Sequence, residues 1–235
     1  MANYMKSKVQ QSVSFLPILV VTFLAFSGVL FLNPSPSYAF DKATLSRALK
    51  GDKFLVNADL IKADLIGADL RRAYLTLANL RRADLSGAQL LEAKLSGAKL
   101  RRAKLIGADL SGAKLSGADL RSAKLGEADL FQADLRSAQL LGADLRSAQL
   151  LGADLSLADL SLADLSLADL RSAKLLGADL RFAKLGEADL FQADLRGAKL
   201  GGADLFQADL RGAQADSNTT FPDGFDAKGA GVIFK

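Results

Sequence analysis

Ala58-Asp59-Leu60-Ile61-Lys62-Ala63-Asp64-Leu65-Ile66-Gly67-Ala68-Asp69-Leu70 opens a pattern, Ala-x-Leu-x-x, that recurs every five residues without a slip. Ala keeps this register from Ala58 to Ala213, through 32 consecutive repeats, and Leu keeps it from Leu60 to Leu210. A repeat this strict decides the architecture before any other feature of the chain is considered. Five residues advance an α-helix by about 140° net, so successive Leu side chains would wander around its whole circumference. A continuous strand fails as well. Its side chains alternate faces and five is odd, so Leu60 and Leu65 would point to opposite sides. Within one repeat, however, Ala58 and Leu60 share a face while Asp59 points away. The consistent solution is three extended residues followed by a corner, with every corner returning the next Ala and Leu to the inside.

The corner residues agree. Twelve repeats carry Gly immediately before Ala, among them Gly67, Gly107, Gly142 and Gly202. That is the third residue of a turn beginning at Leu, where a type II turn needs positive φ. Other corners carry Arg, Ser, Leu, Gln or Glu there, which predicts more than one turn type. A chain that turns at every fifth residue winds into a solenoid, its coils rising about 4.8 Å each. Ala and Leu form the inner columns and the other three positions face solvent. The number of sides per coil stays open on periodicity alone. The segment 126–136 recurs unchanged at 186–196, a shift of 60 residues that fits three, four or six sides.

The tandem Ala-(Asp/Asn)-Leu-x-x string resembles the pentapeptide-repeat family over residues 58–213. The resemblance implies an all-β solenoid: a right-handed quadrilateral β-helix with 20 residues per coil, about eight coils and a rod of roughly 40 Å. The residue before Leu departs from Asp or Asn to Lys at Lys94, Lys99, Lys104, Lys114, Lys124, Lys174, Lys184 and Lys199. Because that position points outward, the departure is expected to change surface charge rather than fold.

Around the repeat block, 54–214, the chain divides into three further parts. Residues 1–39 have the layout of a secretory signal peptide: Lys6 and Lys8 without an acid, an almost unbroken apolar run over 13–32, then Pro34, Pro36 and Ser37-Tyr38-Ala39. There is no twin arginine, so a Sec-type route with cleavage after Ala39 is expected. The apolar run is also just long enough to span a bilayer, and an uncleaved anchor, with membrane contact only through this leader, is the alternative. Residues 40–53 read as a short capping helix, with Asp41 as N-cap, Gly51 as C-cap and Leu45, Ala48 and Leu49 on one apolar face. An open solenoid end exposes unpaired backbone and apolar core and needs such a cover. Residues 215–235 break the repeat and form the C-terminal cap, with Phe221, Phe225, Val232, Ile233 and Phe234 as plug candidates. A Thr-x-Phe-Pro-x-Gly-Phe-Asp ending resembles those of pentapeptide-repeat proteins from photosynthetic bacteria.

Composition narrows function by exclusion. The chain has no His, Cys or Trp. It therefore lacks an imidazole base or ligand, a disulfide framework and a thiolate nucleophile. The repeated Asp residues are consensus positions, so they need no catalytic reading. The Gly-rich nonapeptide of calcium-binding β-rolls is missing. No catalytic residue, cofactor or metal site is expected, and the chain is read as not an enzyme. Its formal charge of +4 comes from 30 basic and 26 acidic residues, which is not the balance of a polyanion binder.

If a coil holds 20 residues, one corner column contains Ile61, Arg81, Arg101 and Arg121 and its neighbour contains Lys62, Arg82 and Arg102. Three successive coils then set arginines side by side, about 5 Å apart in backbone. Lys62, Arg81, Arg82, Arg101, Arg102 and Arg121 are the candidate partner-binding residues, suited to an anion or an acidic protein. A second column brings Phe131 next to Leu151, a smaller apolar candidate. The expected function is a non-enzymatic, exported structural or protein-interaction rod in a periplasm or thylakoid lumen, with an unknown protein partner and no nucleic acid. The alternative comes from family members that mimic DNA and interact with gyrase in the cytoplasm. That role suits an acidic rod, whereas this one is near neutral with a basic face and an export signal.

Overall fold

The computed structural model describes residues 53–235. Throughout the repeats, each outward residue bridges the residue 20 positions later in a parallel arrangement, beginning with Phe54↔Tyr74, Asp59↔Asn79 and Asp64↔Asp84. This fixes four pentapeptides per coil, the count that the 60-residue recurrence left open. The signal peptide expected over 1–39 lies outside the described residues, as does the capping helix expected over 40–53 apart from Lys53.

One coil is held to the next by a short set of bonds repeated at every side. Leu60 N donates to Asn79 O at 2.8 Å, and Asn79 N donates to Ala58 O at 2.8 Å. At the corner, Lys62 N reaches Arg81 O at 2.9 Å and Ala63 N closes the turn on Leu60 O at 3.1 Å. Four of the five backbone donors of a repeat are thereby satisfied, as burial against an apolar core demands. The fifth belongs to the first corner residue, and the consensus Asp takes it. Ile61 N donates to Asp59 Oδ1 at 3.2 Å, and Ser111 N to Asp109 Oδ1 at 2.9 Å. Asp is thus an outward residue with a backbone task, a side-chain turn within its own repeat.

The inside is formed by the Ala and Leu columns. From Leu55 to Ala215 nearly every one is buried, most of them completely. A Leu layer and an Ala layer from four sides fill the bore, in keeping with the close packing of protein interiors.

The corners correct one expectation. All of them use the same backbone sign at the residue before Ala, whether or not it is Gly: φ is +58° at Lys62, +59° at Arg82, +60° at Leu157 and +58° at Phe182. A left-handed conformation costs a branched or bulky side chain of order 1–3 kcal/mol. It persists here because the hydrogen bonds on both sides of the corner over-determine it. At several corners Gly has a second purpose. A Cβ on Gly202 would sit 2.6 Å from the Phe182 ring, and one on Gly97 would sit 2.8 Å from Leu77. Bulky side chains at the left-handed position lean over the following coil, and the glycine there gives them room.

Near the C-terminus the register lengthens by one residue, since Lys199 bridges Thr220. The extra residue is absorbed where Thr219 N donates to Asp216 O, while Thr219 Oγ1 donates to Leu195 O. Two short strands, β1 (Gln214–Ala215) and β2 (Ile233–Phe234), then pair in parallel. Phe221 and Phe225 stack at 5.6 Å against the core and Val232 is buried. Ile233 and Phe234 do not enter the core as expected: both are about half exposed, because β2 lies on the rim of the coil.

Candidate functional site

Arg is common at the first corner position, and its environment is set by the residue two places earlier. Where that residue is Asp, the guanidinium folds back on it. Arg71 on Asp69, Arg121 on Asp119, Arg136 on Asp134, Arg146 on Asp144, Arg171 on Asp169, Arg181 on Asp179, Arg196 on Asp194 and Arg211 on Asp209 all do so. Most are two-pronged, with Nε and Nη2 each donating to the carboxylate, as in Arg121 to Asp119 at 2.8 and 2.7 Å. These charge-assisted bonds hold the Asp69, Asp119, Asp134 and Asp144 carboxyls below their ordinary value of 3.8, the Arg hydrogen bond being the largest cause.

Arg81 and Arg101 escape this arrangement because Asn79 and Lys99 precede them where Asp would stand. Lys99 has no acceptor to offer. Asn79 leaves its Oδ1 buried and without a partner. The two arginines occupy one corner on successive coils, about 4.8 Å apart along the rod, and beside them on the left-handed position lie Lys62, Arg82 and Arg102. Among the described residues, none of the ion pairs involves any of these five cations. Together with the half-buried Ile61 they line an open groove of about 340 Å³.

Five of the six sequence-predicted residues therefore converge: Lys62, Arg81, Arg82, Arg101 and Arg102. Arg121 stacks on the same column but stands apart, since Asp119 neutralises it and it does not line the groove. Among the described residues no cluster of acids suits a metal ion, and no helix is long and apolar enough to cross a membrane. The apolar candidate pair lies on neighbouring coils of one corner column, with Phe131 exposed and Leu151 half-buried, while Leu157, Leu162 and Leu167 project from successive corners.

The pentapeptide-repeats family matches the chain over residues 40–90 and 113–212. The chain belongs to the pentapeptide-repeat family, whose members fold as right-handed quadrilateral β-helices and are generally structural or interaction proteins. Among solved structures it is similar to alr5209, a pentapeptide-repeat protein of Nostoc PCC 7120, at 45% identity over 43% of this chain and 84% of that one, with a TM-score of 0.43. It is similar to HetL of the same cyanobacterium, a pentapeptide-repeat protein involved in heterocyst differentiation regulation, at 37% identity over 73% and 86% of the two chains, with a TM-score of 0.41. A third similar structure is AT2G44920 from the Arabidopsis thaliana thylakoid lumen, at 33% identity over 50% and 70%, with a TM-score of 0.19. Comparison with curated protein sequences gives no match.

Proposed function

We propose that this chain is an exported, non-enzymatic interaction rod of about eight coils that meets an anionic partner along its basic corner edge. The observation that carries the reading is the groove of Lys62, Arg81, Arg82, Arg101 and Arg102, none of which forms an ion pair with a carboxylate among the described residues. Elsewhere the same coil geometry neutralises its own arginines, so these five form a local exception to the surface rule. Their contribution to an encounter is chiefly a faster, salt-sensitive approach. The leader over 1–39 supports export, and a periplasm or thylakoid lumen is the compartment it suits. On this reading the helix over 40–53 and the segment 215–235 close the two ends. The DNA-mimicking alternative requires a predominantly acidic surface, and a formal charge of +4 with an exposed arginine cluster argues against it.

The test is recovery of bound proteins from native membrane and soluble fractions by the tagged full chain. Arg81→Gln with Arg101→Gln should weaken the specific recovery and flatten its salt dependence. Arg121→Gln, which removes an already neutralised charge of the same type, should not. Equal recovery by all three proteins at low salt, with the fold verified, would remove the basic edge as the binding site.

A further inference from the structure

From the arrangement of donors in this groove we infer that its ligand is a terminal tetrahedral oxyanion, a phosphate or sulfate group with three free oxygens, rather than a carboxylate or a phosphodiester. The inference rests on reading this edge as the rod's binding site. Arg81 and Arg82 are adjacent on one coil, and Arg101 and Arg102 repeat them one coil further on. Each pair occupies the two residues of a corner, so four arginines from two successive coils line one groove. Each carries five N–H donors in a planar fork. A carboxylate or a phosphodiester presents two free oxygens in one plane. One fork satisfies it, as Asp119 with Arg121 shows on the next coil, and the other three guanidinium groups would be left without an acceptor. A terminal phosphate or sulfate presents three oxygens in different directions and accepts several forks at once.

The boundaries of the groove fit the same ligand. Ile61 is the apolar member of the lining, and the Asp119–Arg121 pair, neutral as a unit, ends the run of free cations on the C-terminal side. The volume of about 340 Å³ accommodates a compact anionic group. Two sources share this chemistry: a free phosphorylated or sulfated small molecule, and a lipid headgroup ending in a phosphate monoester.

The experiment is calorimetric titration of the full chain at fixed salt with pyrophosphate and, separately, with malonate as a dicarboxylate. Pyrophosphate should bind at one site per chain, about tenfold or more tighter than malonate. Asn79→Asp with Lys99→Asp should abolish that binding while keeping every groove arginine, because each new carboxylate captures the fork two residues on. Co-sedimentation with phosphatidylcholine vesicles carrying phosphatidic acid or phosphatidylglycerol distinguishes the sources. Preference for phosphatidic acid, lost in the double variant, assigns a lipid headgroup. Pyrophosphate binding without vesicle binding assigns a soluble ligand. Equal affinity for pyrophosphate and malonate, or pyrophosphate binding that survives the double variant, overturns the inference. Equal affinity leaves the anionic-partner reading standing, and loss of partner recovery in the Arg81/Arg101 variant decides that reading separately.

Discussion

Asp119 receives Arg121 in a two-pronged bond, with Nη2 2.7 Å from Oδ2, while one coil earlier the equivalent pair is Lys99 and Arg101 and no such bond exists. This single substitution within the repeat separates a neutral stretch of the corner edge from a cationic one.

Lys99→Asp is expected to stabilise the rod. The new carboxylate accepts the Arg101 amide, as Asp119 accepts that of Arg121 at 3.2 Å. A regained side-chain-to-backbone hydrogen bond is worth about 0.5–1.5 kcal/mol. The denaturant midpoint should rise, and an unchanged or lower midpoint would count against the backbone task assigned to the consensus Asp.

The inside and outside of the coil can be told apart by one residue of offset. Ala138 is fully buried, and Ala138→Phe should cost about 1–3 kcal/mol or more through overpacking. Its neighbour Gln139 is exposed, and Gln139→Phe should stay within about 0.5 kcal/mol. Urea titration of the two variants decides; comparable losses would contradict the assigned faces.

Gly202 and Gly87 should respond differently to alanine. Both have left-handed φ, at +70° and +64°, but a Cβ on Gly87 meets nothing within 4 Å whereas one on Gly202 meets the Phe182 ring. Gly87→Ala should therefore cost only the backbone conformation, about 1–2 kcal/mol. Gly202→Ala should cost more, and the excess should vanish in a Phe182→Ala background. A double-mutant cycle measures that coupling, and a value near zero would show that the ring does not depend on the glycine.

Acid should loosen the rod over a defined range. The Asp carboxyls clamped by Arg are held below 3.8 in the folded state, chiefly by the Arg hydrogen bond. Their stabilisation is complete above the unfolded value, about 3.9, and is lost as pH falls through the lowered folded value. Denaturant midpoints should be flat from about pH 7 to pH 5 and fall below about pH 4. High salt should shrink the fall because these pairs are exposed. A midpoint that begins to drop near pH 6 would point to another group.

Much of this fold is legible in Ala143 and Leu145, each recurring five residues later at Ala148 and Leu150, a spacing that rules out helix and flat strand and fixes what lies inside. The side count was not legible from periodicity, because a 60-residue recurrence divides evenly in several ways; only the pairing of Asp59 with Asn79, seen in space, selects 20. The uniform corner was hidden by residues such as Phe182, whose intrinsic preference opposes the φ that the hydrogen-bonded corner imposes. The candidate site was half legible. Stacking placed Lys62, Arg81, Arg82, Arg101 and Arg102 together, but it also admitted Arg121, because a column rule ignores the neighbouring carboxylate. The missing signal was in the sequence all the same, at the position two before each Arg. Lys at the outward position also does more than change charge, since it removes the acceptor for the following amide.

The 20-residue coil has a consequence for how such a chain lengthens. The two copies of the segment at 126–136 and 186–196 are three whole coils apart, so they face the same way and differ only by a translation of roughly 14 Å along the rod. Inserting or deleting 20 residues within the repeats slides everything beyond it without turning it, whereas five residues turn everything beyond by a quarter. Length and orientation are therefore separately adjustable by duplication: the rod is a ruler graduated in coils, on which a groove or a patch can be moved apart from its neighbour while still pointing at the same side.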